Sequence, residues 1–314
     1  MMRFATDAVR VRVPATSANL GPGFDALGLA LGLHDEIEVR ALGAAATTVE
    51  VIGEGAGRVP EDETHLVVRA LRHALDVAGA PQVGVAMRCT NRIPHCRGLG
   101  SSAAAVVAGI VAARGLVAEP EALDDAVALR IATEFEGHPD NAAPAILGGA
   151  TVAWSDDDGP RAVQVDVDPA VVPVAIVPPV ELSTKTARGV LPAQVPHADA
   201  AFVAGRAALL VEALGRRPEL LLPATEDRLH QSYRGAVMPD SLALVTALRS
   251  RGVAAVVSGA GPTVLALARK VPGGTDADAV IAEVFGPTMG GWQVRTLGVA
   301  THGAAVERIG APAS

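Results

Sequence analysis

Ile93-Pro94-His95-Cys96-Arg97-Gly98-Leu99-Gly100-Ser101-Ser102 runs straight into Ala103–Leu116, an Ala- and Val-rich stretch that reads as a buried helix. Glycines let a backbone come close to an anion. Two hydroxyls follow them, and then the helix begins. The first turn of a helix offers unpaired N–H groups and a positive dipole end. This combination is a phosphate cradle. A hydroxyl of the loop, on Ser101 or Ser102, can also reach a magnesium ion. The segment is not a Walker A loop, because no Lys follows the last glycine, and it is not a G-x-G-x-x-G fingerprint. By itself it fits equally an ordinary helix after a glycine turn, with serine as the cap.

Upstream of this segment, Val9, Val11 and Val13 alternate with Arg10 and Arg12, which predicts a strand ended by Pro14. Ala15–Gly23 reads as a loop. Glu36–Arg40 reads as a strand, with Thr48–Gly53 as its hairpin partner. His65–Gly79 has helical spacing, and Val83–Cys89 alternates as a strand. Downstream, Pro120–Glu136 and Ala142–Leu147 read as helices, and Gly148–Trp154 and Ala162–Val167 as strands. A division into residues 1–165 and 166–314 is expected after them. The second half reads as strand Val171–Val177, then helices Thr186–Leu191, Ala198–Leu214, Glu219–Leu229 and Asp240–Arg251. Strands Val253–Val257 and Thr263–Ala268, helix Thr275–Phe285 and a final strand Trp292–Val299 follow. Helices and strands are mixed in both halves, which predicts an α+β fold rather than a doubly wound sheet.

The 314 residues carry a net charge of −8 and only two Trp, one Tyr and five Phe. An acidic chain poor in aromatics has neither the basic face nor the stacking platform of a nucleic-acid binder. Cys89 and Cys96 fit neither a disulfide framework nor a zinc pattern, so two reduced thiols are expected. The first residues lack the apolar run of a signal peptide, and no stretch reaches the length of a membrane span. A cytoplasmic protein with no membrane partner is expected.

Four further segments carry polar groups suited to chemistry. Pro14–Asp25 sets Asn19 and Asp25 in a glycine-bearing loop, where they can hold an ammonium or hydroxyl group or simply bond the local backbone. Glu134–Asn141 gathers three carboxylates, an imidazole and an amide; such carboxylates can hold magnesium, or form a solvated helix end. His138 has no second His or Cys at a zinc spacing. Val257–Thr263 is a small-residue turn between strands, which is either a plain hairpin or a place of close backbone approach. Lys185, Arg188 and Arg234 are basic, and arginine suits two-pronged recognition of a carboxylate or phosphate.

The order and spacing of Pro14–Asp25, Pro94–Ala104 and Ser258–Thr263 resemble the three motifs of the GHMP kinases, and the resemblance spans nearly the whole chain. The superfamily is named for galactokinase, homoserine kinase, mevalonate kinase and phosphomevalonate kinase. Within it, Thr16–Asp25 (TSANLGPGFD), Glu136–Gly149 (EGHPDNAAPAILGG) and Ser183–Arg188 (STKTAR) are similar to the homoserine kinases. The resemblance implies an N-terminal domain of the ribosomal-protein-S5-domain-2 type and a ferredoxin-like C-terminal domain. It implies ATP against Pro94, His95, Cys96, Arg97, Gly98, Leu99, Gly100, Ser101, Ser102, Ala103 and Ala104, with adenine near Asp62–His65. L-homoserine would lie among Asn19, Asp25, His138, Asp140, Asn141, Arg188 and Arg234, and Ser102 or Ser101 with Glu134 would hold Mg2+. Asn141, Glu134 and Ser102 are the implied catalytic residues. The implied reaction gives O-phospho-L-homoserine on the route to threonine. Family members are often homodimers, so a homodimer is expected.

Three departures stand out, one of them in the third motif, which reads Ser258-Gly259-Ala260-Gly261 where Ser-Gly-Ser-Gly-like versions also occur. Several related kinases place an Asp, able to act as general base, where Asn141 stands, and an amide cannot take the proton in that way. A transfer without a dedicated side-chain base is therefore expected. Arg97 occupies a position where many members carry a small residue; it either points outward or touches phosphate. The rivals are another GHMP kinase with a small hydroxylated substrate and a catalytically dead relative that binds a ligand for regulation.

Overall fold

The computed structural model describes residues 2–43, 46–286 and 290–310. The first part runs β1 (Ala8–Asn19), β2 (Gly23–Leu42), β3 (Thr47–Gly53), α1 (Leu66–Val77), β4 (Gly84–Asn91), α2 (Ser101–Leu116), α3 (Asp125–Glu136), α4 (Ala142–Leu147), β5 (Ala150–Asp156) and β6 (Gly159–Val165). The second runs β7 (Val171–Val177), α5 (Thr184–Gly189), α6 (His197–Gly215), α7 (Leu221–Ala224), α8 (Pro239–Arg249), β8 (Ala255–Val257), β9 (Val264–Val271), β10 (Gly274–Thr275), α9 (Asp278–Phe285), β11 (Gln293–Thr296) and β12 (Ala305–Arg308). The α+β reading holds.

The first sheet has the order β12-β1-β2-β4-β3, with β5 on the other end of β2 and β6 beyond it. Val9, Val11 and Val13 face the core as predicted. Pro14 does not end the strand. The ladder with β2 shifts register between Pro14 and Ala15 and then resumes to Asn19. A bulge absorbs the missing N–H, so the chain continues into the predicted loop as strand. Ala15–Ala18 are buried on both faces, which leaves no alternation to read.

Thr48–Gly53 is not the hairpin partner of β2. That edge belongs to β4, and β3 pairs with β4 in parallel, Thr47 opposite Val85 through Gly53 opposite Asn91. Parallel strands need a crossover, and α1 supplies it. α2 is apolar around its whole circumference because it is enclosed by α1, α3 and β1. Gly109 lets α1 come close: a Cβ there would meet the Val67 carbonyl and Ala70.

Two predicted helices are shorter. Pro120–Leu123 is a separate 3-10 turn, and the Asp124 carboxylate caps α3 by accepting from the Val127 N–H at 2.9 Å. Of Glu219–Leu229, only the part to Ala224 is helical. The Asp227 carboxylate then accepts from the N–H groups of Leu229, His230 and Gln231 at 2.8–3.1 Å. A side chain that bonds the backbone competes with a helix and ends it.

The second sheet has the order β10-β9-β7-β11, with β8 also on β9. Leu265 and Leu267 join the main core with α6, while Val264 and Ala266 turn to a second core beneath α8 and α9. The last strand, β12, was not read from the sequence; it returns to the first sheet and pairs antiparallel with β1. Among the described residues no helix is long and apolar enough to cross a membrane. Cys89 and Cys96 are free thiols, and burial pushes the Cys89 thiol up to about 12.

Candidate active site

The glycine turn forms the N-terminus of α2 as predicted, but Gly100, not a serine, is the cap residue. Its φ of 68° is left-handed, and Gly98 has φ 72°. Ser101 and Ser102 open the helix, so their hydroxyls lie at its positive end.

Three loops are laced together around this turn. The Thr16 N–H donates to the Leu99 carbonyl at 3.1 Å, and Gly259 N–H to Ala18 at 3.1 Å. Ser258 Oγ donates to the Gly98 carbonyl at 2.6 Å and is joined to Ser17 Oγ at 2.8 Å. Asn19 staples the same loops: its Nδ2 donates to Gly259 at 2.9 Å and its Oδ1 accepts from the Asp25 N–H at 3.0 Å. The three motifs, far apart in sequence, are one construction.

A cavity of about 280 Å³ opens beside it, lined by Asn19, Gly100–Ser102, Glu136, His138, Asp140, Asn141, Arg188 and Arg234. Of the predicted substrate residues only Asp25 is not on this wall, and it is tied to it by two hydrogen bonds from Arg188 at 2.6 and 3.1 Å. Arg234 is 1% exposed. Its Nη1 donates to the Gly259 carbonyl at 2.8 Å and its Nε has no partner. Burial, with Arg188 nearby, lowers its affinity for the proton to about 10. His138 Nδ1 stands 2.8 Å from Asp140 Oδ1, and that bond raises the imidazole above its usual range.

A second cavity, about 240 Å³, also meets Ser101 and Ser102, and is lined by the apolar Val59, Pro60, Leu66 and Val67 together with Thr64, His65 and His95. The predicted adenine loop, Asp62–His65, contributes its last two residues to it. A larger hollow of about 820 Å³, near Lys270, Asp166 and Thr296, contains none of the predicted site residues.

Glu134 and Ser102 are not brought together. Glu134 bonds His73 at 3.0 Å and Arg130 at 3.1 Å on the outer side of α3. Glu136 takes its place, with Oε1 accepting from Ser102 Oγ at 2.6 Å. At 3.6 residues per turn, positions two apart face about 200° away from each other, so only one of the pair can face the cavity. Burial holds the Glu136 carboxyl above its usual range. Arg97 lines neither of the two cavities beside Ser101 and Ser102. Its guanidinium donates to the carbonyls of His95, Pro178 and Pro179 at 3.0–3.1 Å and pairs with Glu181.

The sequence reading also missed two contributors. Thr184, the first residue of α5, lines the cavity. Thr16, buried behind Asn141, donates to its Oδ1 at 2.8 Å. Both stood inside quoted motifs, but nothing in a one-dimensional pattern says which hydroxyl turns toward the site.

Residues 65–149 match the GHMP kinases N terminal domain, and residues 200–286 the GHMP kinases C terminal domain. The chain is 56% identical over 96% of its length to a homoserine kinase of Streptomyces coelicolor, of which it covers 96%, and 52% identical to one of Clavibacter michiganensis, covering 96% of this chain and 94% of that one. The crystal structure of homoserine kinase from Cytophaga hutchinsonii superposes with a TM-score of 0.82 at 28% identity, over 96% of this chain and 98% of that one. A glycine turn at a helix start, an arginine-lined cavity and this degree of likeness agree, and the chain belongs to the homoserine kinases of the GHMP kinase family.

Proposed function

We propose that the chain transfers the γ-phosphoryl of ATP to the side-chain hydroxyl of L-homoserine, giving O-phospho-L-homoserine and ADP on the way to threonine. One observation carries this reading: two cavities of different character meet at Ser101 and Ser102. The one with apolar walls suits a nucleotide base. The other, with two arginines and a carboxylate beside it, suits a small amino acid.

A free amino acid offers a carboxylate and an ammonium group. Arg234 is a buried guanidinium with an unused donor, and it needs an anion. Arg188 and Asp25 pair with each other, and a bound zwitterion exchanges that pair for one with its own two charges. The α2 N-terminus and the loop N–H groups receive the phosphate chain.

The residues also fit a magnesium ion. Ser102 Oγ and Glu136 Oε1 are 2.6 Å apart at the helix start, and burial holds the Glu136 carboxyl above its usual range. Magnesium takes one or two protein oxygens and completes its shell with water and phosphate. It would supply charge neutralisation between the phosphates.

In the transfer, the homoserine hydroxyl oxygen bonds to the γ-phosphorus. The bond from that phosphorus to the bridging oxygen breaks, and its electron pair leaves with ADP. The hydroxyl proton passes to an oxygen of the transferred phosphoryl. Asn141 orients the hydroxyl, and Asp140 is engaged by His138. A loose transition state of this kind depends mainly on alignment and charge stabilisation. The active form is a homodimer, which sedimentation analysis checks.

A coupled assay with ATP and homoserine, mevalonate, shikimate or galactose tests the proposal. Turnover with homoserine is expected, and turnover only with a non-amino acid would refute it. Asn141→Ala is expected to lower kcat by about 100-fold; an unchanged kcat removes its role.

A further inference from the structure

Thr16 is fully buried and does not line either cavity. Its side chain nevertheless reaches the centre of the site from behind. The hydroxyl donates to Asn141 Oδ1 at 2.8 Å, across 125 residues of sequence. It also lies directly under the glycine turn, where a Cβ on Gly100 would overlap it. One hydroxyl thus sits between the residue that orients the acceptor and the start of α2.

This bond and a contact at the other end of the amide together set which way Asn141 faces. Asn141 Nδ2 is 3.4 Å from Asp140 Oδ1, a donor aimed at a carboxylate. A flipped amide would set its oxygen against that carboxylate oxygen, which is repulsive. Thr16 at one end and Asp140 at the other therefore select the same orientation. With Oδ1 turned to Thr16 and one N–H turned to Asp140, the second N–H is the donor that the amide has left to offer the cavity.

We infer that Thr16 is a positioning residue for phosphoryl transfer: it locks the Asn141 amide so that an N–H, never the carbonyl oxygen, meets the homoserine hydroxyl. This rests on the reading that Asn141 orients that hydroxyl. An N–H holds the hydroxyl oxygen by one lone pair and leaves its proton free to move to the phosphoryl oxygen. An amide held by Asp140 alone would be freer to turn its oxygen to the hydroxyl, accept that proton and turn the attacking lone pair away.

Thr16→Val keeps the shape and removes the hydroxyl; Thr16→Ser keeps the hydroxyl. The expected result is a kcat about 30-fold lower in Thr16→Val, with KM for ATP and homoserine within about threefold of the parent, and near-parent kcat in Thr16→Ser. In the Thr16→Val/Asn141→Ala double variant kcat should be no lower than in Asn141→Ala alone. Parent-like kcat in Thr16→Val, in a background where Asn141→Ala is impaired, overturns the inference; so does a defect in Thr16→Val that multiplies with that of Asn141→Ala. Should thermal melts find Thr16→Val unfolded, Thr16→Ala against Thr16→Ser makes the same comparison, and equal kcat in the two overturns it. A parent-like kcat in Asn141→Ala overturns the underlying reading of Asn141 instead.

Discussion

Glu136 and Glu134 stand two residues apart on α3 and face opposite ways, one to Ser102 and the other to His73 and Arg130. Glu136→Gln is expected to lower kcat by about 100-fold and to raise the magnesium concentration needed for half-maximal rate, since a neutral amide binds the ion poorly. Glu134→Gln removes only exposed ion pairs, worth at most about 1 kcal/mol. A magnesium titration of both variants checks the contrast, and equal losses would remove Glu136 from the metal site. His138 gives a pH signature. Asp140 holds its imidazolium, so its proton affinity is raised above the ordinary 6.5. A group raised on folding contributes fully below its ordinary value, and the contribution is lost as pH climbs through the raised one. The charge lines the cavity and favours a bound carboxylate. KM for homoserine is therefore expected to be flat on the acid side and to rise with pH above the usual imidazole range. His138→Gln should flatten that rise; a profile identical to the parent's would exclude His138 as its source.

The α2 N-terminus works as an element because nothing but glycine fits its cap. Gly100 combines a left-handed φ of 68° with contact against the Thr16 hydroxyl. A Cβ there costs about 1–2 kcal/mol in backbone strain alone, before the overlap is relieved. Gly100→Ala is expected to abolish measurable transfer and to lower the thermal midpoint by several degrees; a variant that keeps parent activity would mean that the turn adapts. The helix itself was legible in the sequence, since an unbroken apolar run flanked by glycine and serine has few other readings. β1 was legible only to Pro14. Beyond it both faces are covered, and burial on two faces erases the alternation on which a strand is recognised. β3 was recognised as a strand but given the wrong neighbour, because pairing depends on which edge α1 reaches, not on the residues of β3.

Across the molecule, Arg97 ties the phosphate loop to the segment that leads into α5 and Arg188. Its side chain is 16% exposed and grips Glu181, which Arg58 also holds at 2.8 Å. Leu182 N–H donates to Cys96 in the same strap at 2.9 Å. Losing several bonds of a nearly buried guanidinium costs about 1–3 kcal/mol. Arg97→Ala is expected to raise KM for homoserine several-fold and to lower the thermal midpoint, although Arg97 touches neither cavity. Unchanged KM values for both substrates would reduce the strap to a stability device. The return of β12 to β1 closes the molecule in a comparable way: the chain's last strand seals the edge of its first sheet.

The amino-acid sequence by itself determined the α+β class, the helix that carries the phosphate cradle and most of the residues around the cavity. These are properties of short stretches, where composition, period and turn chemistry act locally. The tertiary structure alone decided that Glu136 and not Glu134 faces Ser102, that Arg97 straps loops together, and that Thr16 stands behind Asn141. Each of those depends on which side of an element faces its packing partner, and that is settled between segments 34 to 125 residues apart in the chain.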